Sequence, residues 1–505
     1  MADDDRAGAA AGRGRRRGDA DRRVTRDAVV VGGGHNGLVA AAYLARAGLD
    51  VVVLERRDVV GGACVTEELW PGVRASPGAY TLSLLRRRII DDLDLAGHGL
   101  RVDVHEPYLF APLPDGRKVV TWSSRARTHA QLAQDWSAAD ADAYVAWSQR
   151  WARAATRARP LLLEPADRGR WLEAIGPELL DGSIAGDLAA IPSPEVRVPF
   201  AIQGLIGTLA APDDPGTAFV AFYHDLGEAT DPPGAWGFAR GGMGAVTAAL
   251  ASAARAAGAE IRTGAEVERI AGDRVVLSGG GAEEIAARAV LSNADPLRTA
   301  RLAGAEAPHG WRQDGPTVKV MLLLDGLPDF PAWPGPEPWA GTIDIGFTLE
   351  DLAAAAADAR AGRPAARPWI EAACQTAADP TLAPPGRHVL SLFCQCFPPS
   401  VAADVAADAA IARFADACPG LPDRIVDRLA LGPRELEARF GLTGGHIFHG
   451  EMLGGQLLER RFPARRFAGI DGLYLCGSGA HPGGAVTGAP GYLAARAVLE
   501  DLGRV

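Results

Sequence analysis

Apolar positions near the amino terminus follow the pattern of a strand, a helix and a second strand. The apolar run from Ala28 to Val31 predicts a buried parallel strand, and a second run spans Val51 to Leu54. Between them lies an amphipathic segment that ends at Gly48. Its apolar face consists of Leu38, Ala41, Leu44 and Ala45. The pattern therefore predicts a βαβ unit.

The loop after the first strand has the spacing G-x-G-x-x-G at Gly32, Gly34 and Gly37. In dinucleotide-binding folds these glycines permit a tight turn, close approach of the backbone to a pyrophosphate, and close packing of helix on sheet. Glu55 ends the second strand, where a carboxylate accepts hydrogen bonds from a ribose. A carboxylate there disfavours the 2′-phosphate of NADP, although Arg56 stands beside it. FAD and NAD both fit this pattern.

Three further patterns organise the middle of the chain. Residues 132–188 have apolar residues at helical spacing, which predicts a helical substrate-side region. Strand-like runs alternate with helical or proline-rich segments over residues 317–442, which predicts a second, mixed sheet. The run Gly279 to Gly281 is a turn without a following helix, so we predict a single dinucleotide site.

The last block, residues 472–500, has the pattern of a strand, a glycine-rich loop and a helix. Thr487 is the expected cap of this helix, and Pro490 lies in its first turn. Such an element returns to the parallel sheet and directs a positive helix end at a bound cofactor.

Composition narrows the class of protein. The 505 residues are 48% hydrophobic, which is enough for two or three domains with a large core. The formal net charge of −10 gives no electrostatic reason to expect nucleic acid binding. We see no apolar run of the roughly 20 residues that a transmembrane helix needs. Residues 1–26 hold eight arginines and five aspartates without apolar periodicity, which predicts a disordered tail rather than a signal peptide.

Six cysteines are present, without a C-x-x-C motif or the paired spacing of a zinc site. This usage favours a reduced, cytoplasmic location, and no metal site is predicted. Cys394 and Cys396 continue a strand-like run that begins at His388. Alternate strand residues share a face, so both thiols are expected to point to one side of the sheet as core residues.

Three separated stretches, residues 29–85, 236–296 and 443–499, together resemble one family. This family is the FAD-dependent phytoene-desaturase and amine-oxidase-like group of the glutathione-reductase fold. Within it, the chain most resembles the branch called pyridine nucleotide-disulfide oxidoreductase domain-containing protein 2. The absence of C-x-x-C excludes disulfide reduction by the usual route. Reoxidation of a flavin would then depend on an acceptor such as oxygen or a quinone.

The resemblance implies an α/β fold with a glutathione-reductase-type Rossmann FAD-binding domain and a second mixed-sheet and helical substrate domain. The expected FAD-binding domain is discontinuous and comprises residues 27–95, 236–300 and 465–505. The expected substrate domain comprises residues 96–235 and 301–464.

FAD is the cofactor that the resemblance implies, and Val267 would hold its adenine through the backbone. Many members of the wider fold have an acidic residue at the position of Ser478. The implied contacts are Gly32, Gly34, Asn36, Gly37, Glu55, Arg56, Gly61, Gly62, Val267, Gly477, Ser478, Gly479, Gly483, Gly484 and Ala485.

His446, His449 and His481 are the candidate catalytic residues, because a flavin enzyme needs only to position a bond and remove a proton. The leading hypothesis is an FAD-dependent oxidoreductase that dehydrogenates or oxidises a small apolar or amphipathic molecule by hydride transfer. A carotenoid or isoprenoid desaturase in peripheral contact with a membrane is the close alternative. A flavin-bound interaction or assembly protein with little turnover is another. The sequence assigns no oligomeric state.

Overall fold

The computed structural model describes residues 25–279, 283–453 and 456–504. Residues 1–24 of the predicted tail therefore lie outside the described residues, as do Gly280 and Gly281 of the predicted turn.

Eighteen strands are described in those ranges. They are β1 (Thr25–Val31), β2 (Val51–Leu54), β3 (Glu67–Trp70), β4 (Val73–Ala75), β5 (Val102–Val104), β6 (Leu109–Pro112), β7 (Lys118–Thr121), β8 (Gly237–Ala239), β9 (Glu260–Arg262), β10 (Val267–Ala271), β11 (Arg274–Leu277), β12 (Glu284–Ser292), β13 (Val318–Leu324), β14 (Thr342–Ile345), β15 (Ile370–Cys374), β16 (His388–Cys394), β17 (Ile425–Leu431) and β18 (Leu473–Leu475).

Sixteen α-helices are described in the same ranges. They are α1 (His35–Arg46), α2 (Arg87–Asp92), α3 (Arg125–Asp135), α4 (Ala138–Ala158), α5 (Arg168–Ile175), α6 (Pro177–Asp181), α7 (Ile184–Asp187), α8 (Pro194–Ile202), α9 (Thr217–His224), α10 (Gly244–Ala256), α11 (Pro296–Ala303), α12 (Leu349–Arg360), α13 (Gln375–Ala378), α14 (Ala403–Ala415), α15 (Pro433–Phe440) and α16 (Ala489–Asp501). Within the part of the chain that the structure describes, none of them is both long and apolar enough to cross a membrane.

The first large sheet contains the predicted βαβ unit. Its strand order is β10-β11-β12-β1-β2-β9, and β18 also pairs with β12. The pairs of β1 with β2 and β12, of β2 with β9, and of β12 with β18 are parallel. Helices α1, α10 and α16 pack together on one face of this sheet, over buried residues such as Ala28 and Val30. The seven strands lie in the three segments predicted for the FAD-binding domain, except that β1 begins two residues before the first of them.

The second large sheet has the order β17-β13-β16-β15-β14-β6-β7. Only the pair of β14 with β6 is parallel, so the prediction of a mixed sheet is confirmed. Val318 and Val320 face a core that also contains α14 residues such as Phe414. On the opposite face, residues such as Ala373 and Phe393 pack with the helices of α3–α9, and Met321 and Val389 pack with β4. Every strand lies in the segments predicted for the substrate domain, although the division into domains stays a prediction.

Two local expectations differ from the structure. Strand β1 begins at Thr25, so the tail prediction was wrong for Thr25 and Arg26; Thr25 pairs with Ala286, and Arg26 forms an ion pair with Asp50 at 2.6 Å. Polar and charged residues at the exposed start of this strand gave no apolar signal there.

The two cysteines at the end of β16 also differ from the expectation. The strand ends at Cys394, and Cys396 has a φ of +68°, so the alternation of a strand is interrupted between them. Cys394 packs in the core with α14, whereas Cys396 packs with the helical layer. Both thiols are buried, but the prediction that they share one face was wrong.

Candidate functional site

The glycine loop between β1 and α1 has the geometry that a dinucleotide requires. Gly32 has a φ of +99°, a conformation that favours glycine, and its amide donates to the Leu54 carbonyl at 2.8 Å. Gly34 immediately precedes α1, a helix of 12 residues. The free amide groups of the first turn of α1 point toward the loop. A methyl group on Gly37 would lie 2.3 Å from the Gly32 carbonyl oxygen, so the helix packs as closely as the sequence predicts.

Glu55 lies at the end of β2 and is held by the backbone. Its carboxylate accepts hydrogen bonds from the Gly33 amide at 2.8 Å and from the Arg57 amide at 2.9 Å. Arg56 donates to the carbonyls of Ala438 and Arg439, each at 3.0 Å, and burial lowers its pKa from the ordinary arginine value. A fixed carboxylate at a strand end is the arrangement that binds ribose hydroxyls.

These elements form the walls of a cleft of about 970 Å³. Twelve of its lining residues belong to the amino-terminal segment from Val31 to Ala63, and Val267 and Ser478 come from the later blocks. Of the predicted FAD contacts, the cleft is lined by Gly32, Gly34, Asn36, Glu55, Arg56, Gly61, Gly62, Val267 and Ser478.

The amino-terminal unit and the carboxyl-terminal loop meet at this cleft. Asn36 Nδ2 lies 3.4 Å from Ser478 Oγ, although the two residues are 442 positions apart. A methyl group on Gly491 of α16 would lie 2.1 Å from the Asn36 carbonyl oxygen, so the two helices are in contact there. The first and last blocks therefore converge on one cavity.

The remaining predicted contacts lie next to the cleft rather than in its lining. Methyl groups on Gly477, Gly479 and Gly484 would clash with Asn293, Pro296 and Phe448, at 2.6, 2.4 and 2.1 Å. Gly483, with a φ of +131°, approaches Met452. Close packing of the protein on itself therefore accounts for these four glycines. Gly37 also packs within the protein.

A second cavity of about 980 Å³ adjoins the cleft. Its lining includes Ala485, the last of the predicted FAD contacts. Much of its wall is apolar, with Leu84, Ile206 and Phe393 among the lining residues. The two cavities share His35, Ala63, Phe440, Leu442, Ile447 and Ser478. The two cavities are therefore neighbours that share part of their walls.

One end of the apolar cavity is polar. Lys319 Nζ donates to Ser391 Oγ at 2.7 Å and lies 3.6 Å from the centre of the Tyr80 ring. The Tyr80 hydroxyl donates to Glu371, which also accepts a hydrogen bond from Gln203 Nε2 at 3.0 Å. Burial lowers the pKa of Lys319 to about 7.

The three candidate histidines lie at or beside the cleft, where His446 and His481 are buried and His449 is half-buried. His449 lines it, whereas His446 and His481 line neither cavity. Burial is the largest cause that lowers their pKa values, to about 3 for His446 and about 4 for His481, and the charge of Arg461 lowers them further. The pKa of His449 is also lowered by burial. His446 Nδ1 accepts a hydrogen bond from the Phe448 amide at 3.2 Å, as a neutral imidazole can.

Sequence reasoning missed some polar residues of the cleft and the polar end of the apolar cavity. Asn293 and Arg298 line the cleft, and Lys319, Tyr80 and Glu371 line the apolar cavity. The chain has two lysines, and one of them, Lys319, interrupts an otherwise apolar strand. A lysine inside a buried strand is rare, so this was the available signal. No comparable signal marks the other residues.

Comparison with known proteins places these features in a family. Residues 30–93 match the model described as NAD(P)-binding Rossmann-like domain. The chain is 38% identical over 549 aligned residues to pyridine nucleotide-disulfide oxidoreductase domain-containing protein 2 of Rattus norvegicus, covering 94% of each. The chain belongs to this family. The family resemblance predicted from the three sequence blocks is confirmed.

Two further likenesses extend the comparison, one in sequence and one in fold. Phytoene dehydrogenase of Streptomyces griseus is 29% identical over 389 residues, covering 73% of this chain and 72% of that protein. The structure of cyclohexylamine oxidase from Brevibacterium oxydans IH-35A has a TM-score of 0.56 at 16% identity, covering 95% of this chain and 100% of that one. The latter likeness shows the shared mixed α/β fold. The chain is thus an oxidoreductase of Rossmann-type fold.

Proposed function

We propose that this protein is an FAD-dependent oxidoreductase that dehydrogenates or oxidises a small apolar or amphipathic molecule by hydride transfer to the flavin. The supporting observation is that the dinucleotide cleft and the apolar cavity share six lining residues. A dinucleotide with a ring system at one end fits such a pair of cavities, with its ADP half in the cleft.

The residues of the cleft fit FAD. Gly34 lines the cleft and carries no side chain, so its backbone lies open to a pyrophosphate. The amino-terminal end of α1 supplies unpaired amides to the phosphates, and Glu55 supplies the acceptor for the ribose. Val267 lines the same cleft, where we propose that its backbone holds the adenine.

Bound FAD would supply the hydride acceptor, while the protein supplies binding and orientation. The apolar wall of the second cavity excludes water from the reacting bond and holds the substrate body. Catalytic roles for His446, His449 and His481 stay predictions; of the three, His449 lies in the cleft lining. Oxygen or a quinone is the electron acceptor that we propose.

The test is to purify the protein and record its visible absorption spectrum before and after addition of FAD. Anaerobic incubation with candidate substrates and with NADPH then reports reduction of the flavin as bleaching. Retained FAD and bleaching by an apolar substrate are the expected results. A colourless protein that takes up no FAD would contradict the proposal. A coloured protein that no donor bleaches would favour the interaction-protein alternative.

The substitution Gly34→Ala tests the assignment of the cleft. The Asn293 amide can turn away from the new methyl group, so the fold should survive, but the methyl group occupies the space that a pyrophosphate needs. We expect FAD affinity to fall by about tenfold or more, equivalent to about 1.4 kcal/mol. The matched control is Gly169→Ala at the exposed start of α5, which should bind FAD as the wild type does. Equal affinity of both variants would contradict this assignment.

A further inference from the structure

A row of polar side chains crosses the cavity face of the second sheet. In the antiparallel ladders, Lys319 of β13 lies opposite Phe393 of β16, Phe393 lies opposite Glu371 of β15, and Glu371 lies opposite Asp344 of β14. Residues paired in this way share one face, and adjacent strands are about 4.8 Å apart. Lys319 and Glu371 therefore flank the Phe393 ring from the two neighbouring strands.

The neighbouring residues show which face this is. Val318 and Val320 pack in the core with α14, so Lys319, which alternates with them, points to the other side. Lys319 is 2% exposed and Glu371 is 8% exposed. Both residues line the apolar cavity together with Phe393. The cavity therefore has one cationic group and one carboxylate at the same end.

Lys319 and Glu371 both keep hydrogen-bonding capacity that can serve a ligand. The structure describes no ion pair between Lys319 and a carboxylate; the ammonium has Ser391 and the Tyr80 ring as partners. An ammonium has three donors, so donor capacity is left toward the cavity. Glu371 accepts one hydrogen bond from Tyr80 and one from Gln203, and a carboxylate can accept about four.

The other titratable groups nearby are neutral near pH 7. Burial lowers the pKa of both His35 and His224 to about 4. Burial also raises the pKa of the Cys64 thiol to about 12, and that of Tyr80 well above its ordinary value. Asp344 is fully buried, and burial together with the charge of Glu371 raises its pKa well above the ordinary aspartate range. Lys319 and Glu371 therefore determine the charge of this end of the cavity.

A substrate that enters the cavity meets both charges. A carboxylate group would be attracted by Lys319 but repelled by Glu371, and an ammonium group would be attracted by Glu371 but repelled by Lys319. Either ion therefore loses its hydration in the apolar cavity without a net gain from the two charges. An uncharged hydroxyl group accepts a hydrogen bond from an ammonium and donates one to a carboxylate. We propose that Lys319 and Glu371 bind the polar end of the substrate and select an apolar alcohol over the corresponding acid or amine. This inference rests on the proposed function, because it assigns the substrate class of the same site.

The test compares three probes that share one apolar chain: octan-1-ol, octanoate and octylammonium. Their dissociation constants are measured by calorimetry with the FAD-loaded protein at about pH 6, where the three head groups differ in charge. We expect octan-1-ol to bind about tenfold tighter than either ion. Tighter binding of octanoate or octylammonium, or no binding of any probe, would overturn the inference.

Two variants separate charge selection from a general loss of packing. Lys319→Met removes the cation, so octylammonium should bind about tenfold tighter than to the wild type. Glu371→Gln removes the carboxylate, so octanoate should gain by a similar factor. The control is Lys118→Met, which replaces the chain's other lysine in β7 and should leave all three affinities unchanged. Parallel changes of all three probes in both variants would contradict the assignment.

The outcomes distinguish this inference from the function on which it rests. Calorimetry reports binding without a flavin signal, whereas bleaching reports reduction of the flavin. If the protein retains FAD and is bleached by a substrate, but binds the two ions as tightly as the alcohol, the proposed function stands and the inferred substrate class is wrong.

Discussion

The substitution Lys319→Met should stabilise the protein at neutral pH. Lys319 lies in a fully buried strand, and burial lowers its pKa from 10.5 to about 7. Methionine has nearly the same length without the charge, so it fits the same space between Ser391 and the Tyr80 ring. The buried charge of the wild type is therefore removed without leaving a large cavity.

The difference between the two pKa values, about 3.5, corresponds to about 5 kcal/mol at about 1.4 kcal/mol for each pKa unit. The lost hydrogen bond to Ser391 and the lost cation–π contact with Tyr80 offset roughly 2 to 3 kcal/mol of this. We therefore expect Lys319→Met to raise the free energy of unfolding at pH 7 by about 2 kcal/mol.

The sign of the pH dependence follows from proton uptake. Between pH 7 and pH 10.5 the unfolded chain holds a proton on Lys319 that the folded protein has released, so unfolding takes up a proton. Wild-type stability should therefore rise with pH across this window, by about 2 kcal/mol between pH 7 and pH 9 relative to Lys319→Met. Below pH 7 both states of the wild type are protonated, and the difference should become constant.

The assay is urea unfolding followed by tryptophan fluorescence, with excess FAD, at pH 7, 8 and 9. Subtracting the Lys319→Met data removes the titration of all other groups. The control Lys118→Met, whose lysine pairs with Asp135 at 3.3 Å, should run parallel to the wild type. A constant difference between wild type and Lys319→Met over this range would refute the reasoning, since it would mean that Lys319 keeps its proton in the folded state.

Two further predictions concern the βαβ unit. Gly37→Ala would place a methyl group 2.3 Å from the Gly32 carbonyl oxygen. Thermal unfolding should therefore show that the free energy of unfolding falls by about 2 to 3 kcal/mol, compared with less than about 0.5 kcal/mol for Gly169→Ala. Glu55→Ala would leave the Gly33 amide without its acceptor, which should cost about 1 to 3 kcal/mol of stability in urea. The same variant should bind FAD more weakly in equilibrium dialysis; unchanged affinity would contradict the ribose contact.

The βαβ unit was predictable because its information is local. Glycine spacing, the apolar face of α1 and the position of Glu55 lie within 28 consecutive residues, from Ala28 to Glu55. Strands β1 and β2 and helix α1 appear where these patterns place them. Short-range sterics and periodic burial determine such strands and helices, so they can be predicted without knowledge of distant segments.

The end of β16 shows where local pattern fails. An apolar run through Cys396 predicts a continuous strand, but the chain turns after Cys394 to a φ of +68° at Cys396. Two cores, one on each side of the sheet, take up the two thiols. Burial on both sides makes the sequence apolar throughout, so periodicity carries no information about which face each residue takes.

By itself the sequence predicted a dinucleotide site, the family and the two-sheet α/β architecture. Each motif behind these predictions is local, although the family resemblance combines motifs from three separated stretches. Only the tertiary structure placed Asn36 beside Ser478 and aligned Lys319 with Glu371 across Phe393. These contacts depend on strand order and on register between strands, which long-range packing decides. The sequence showed that a lysine lies in an apolar, buried strand. Only the pairing of neighbouring strands showed which residues lie beside that lysine.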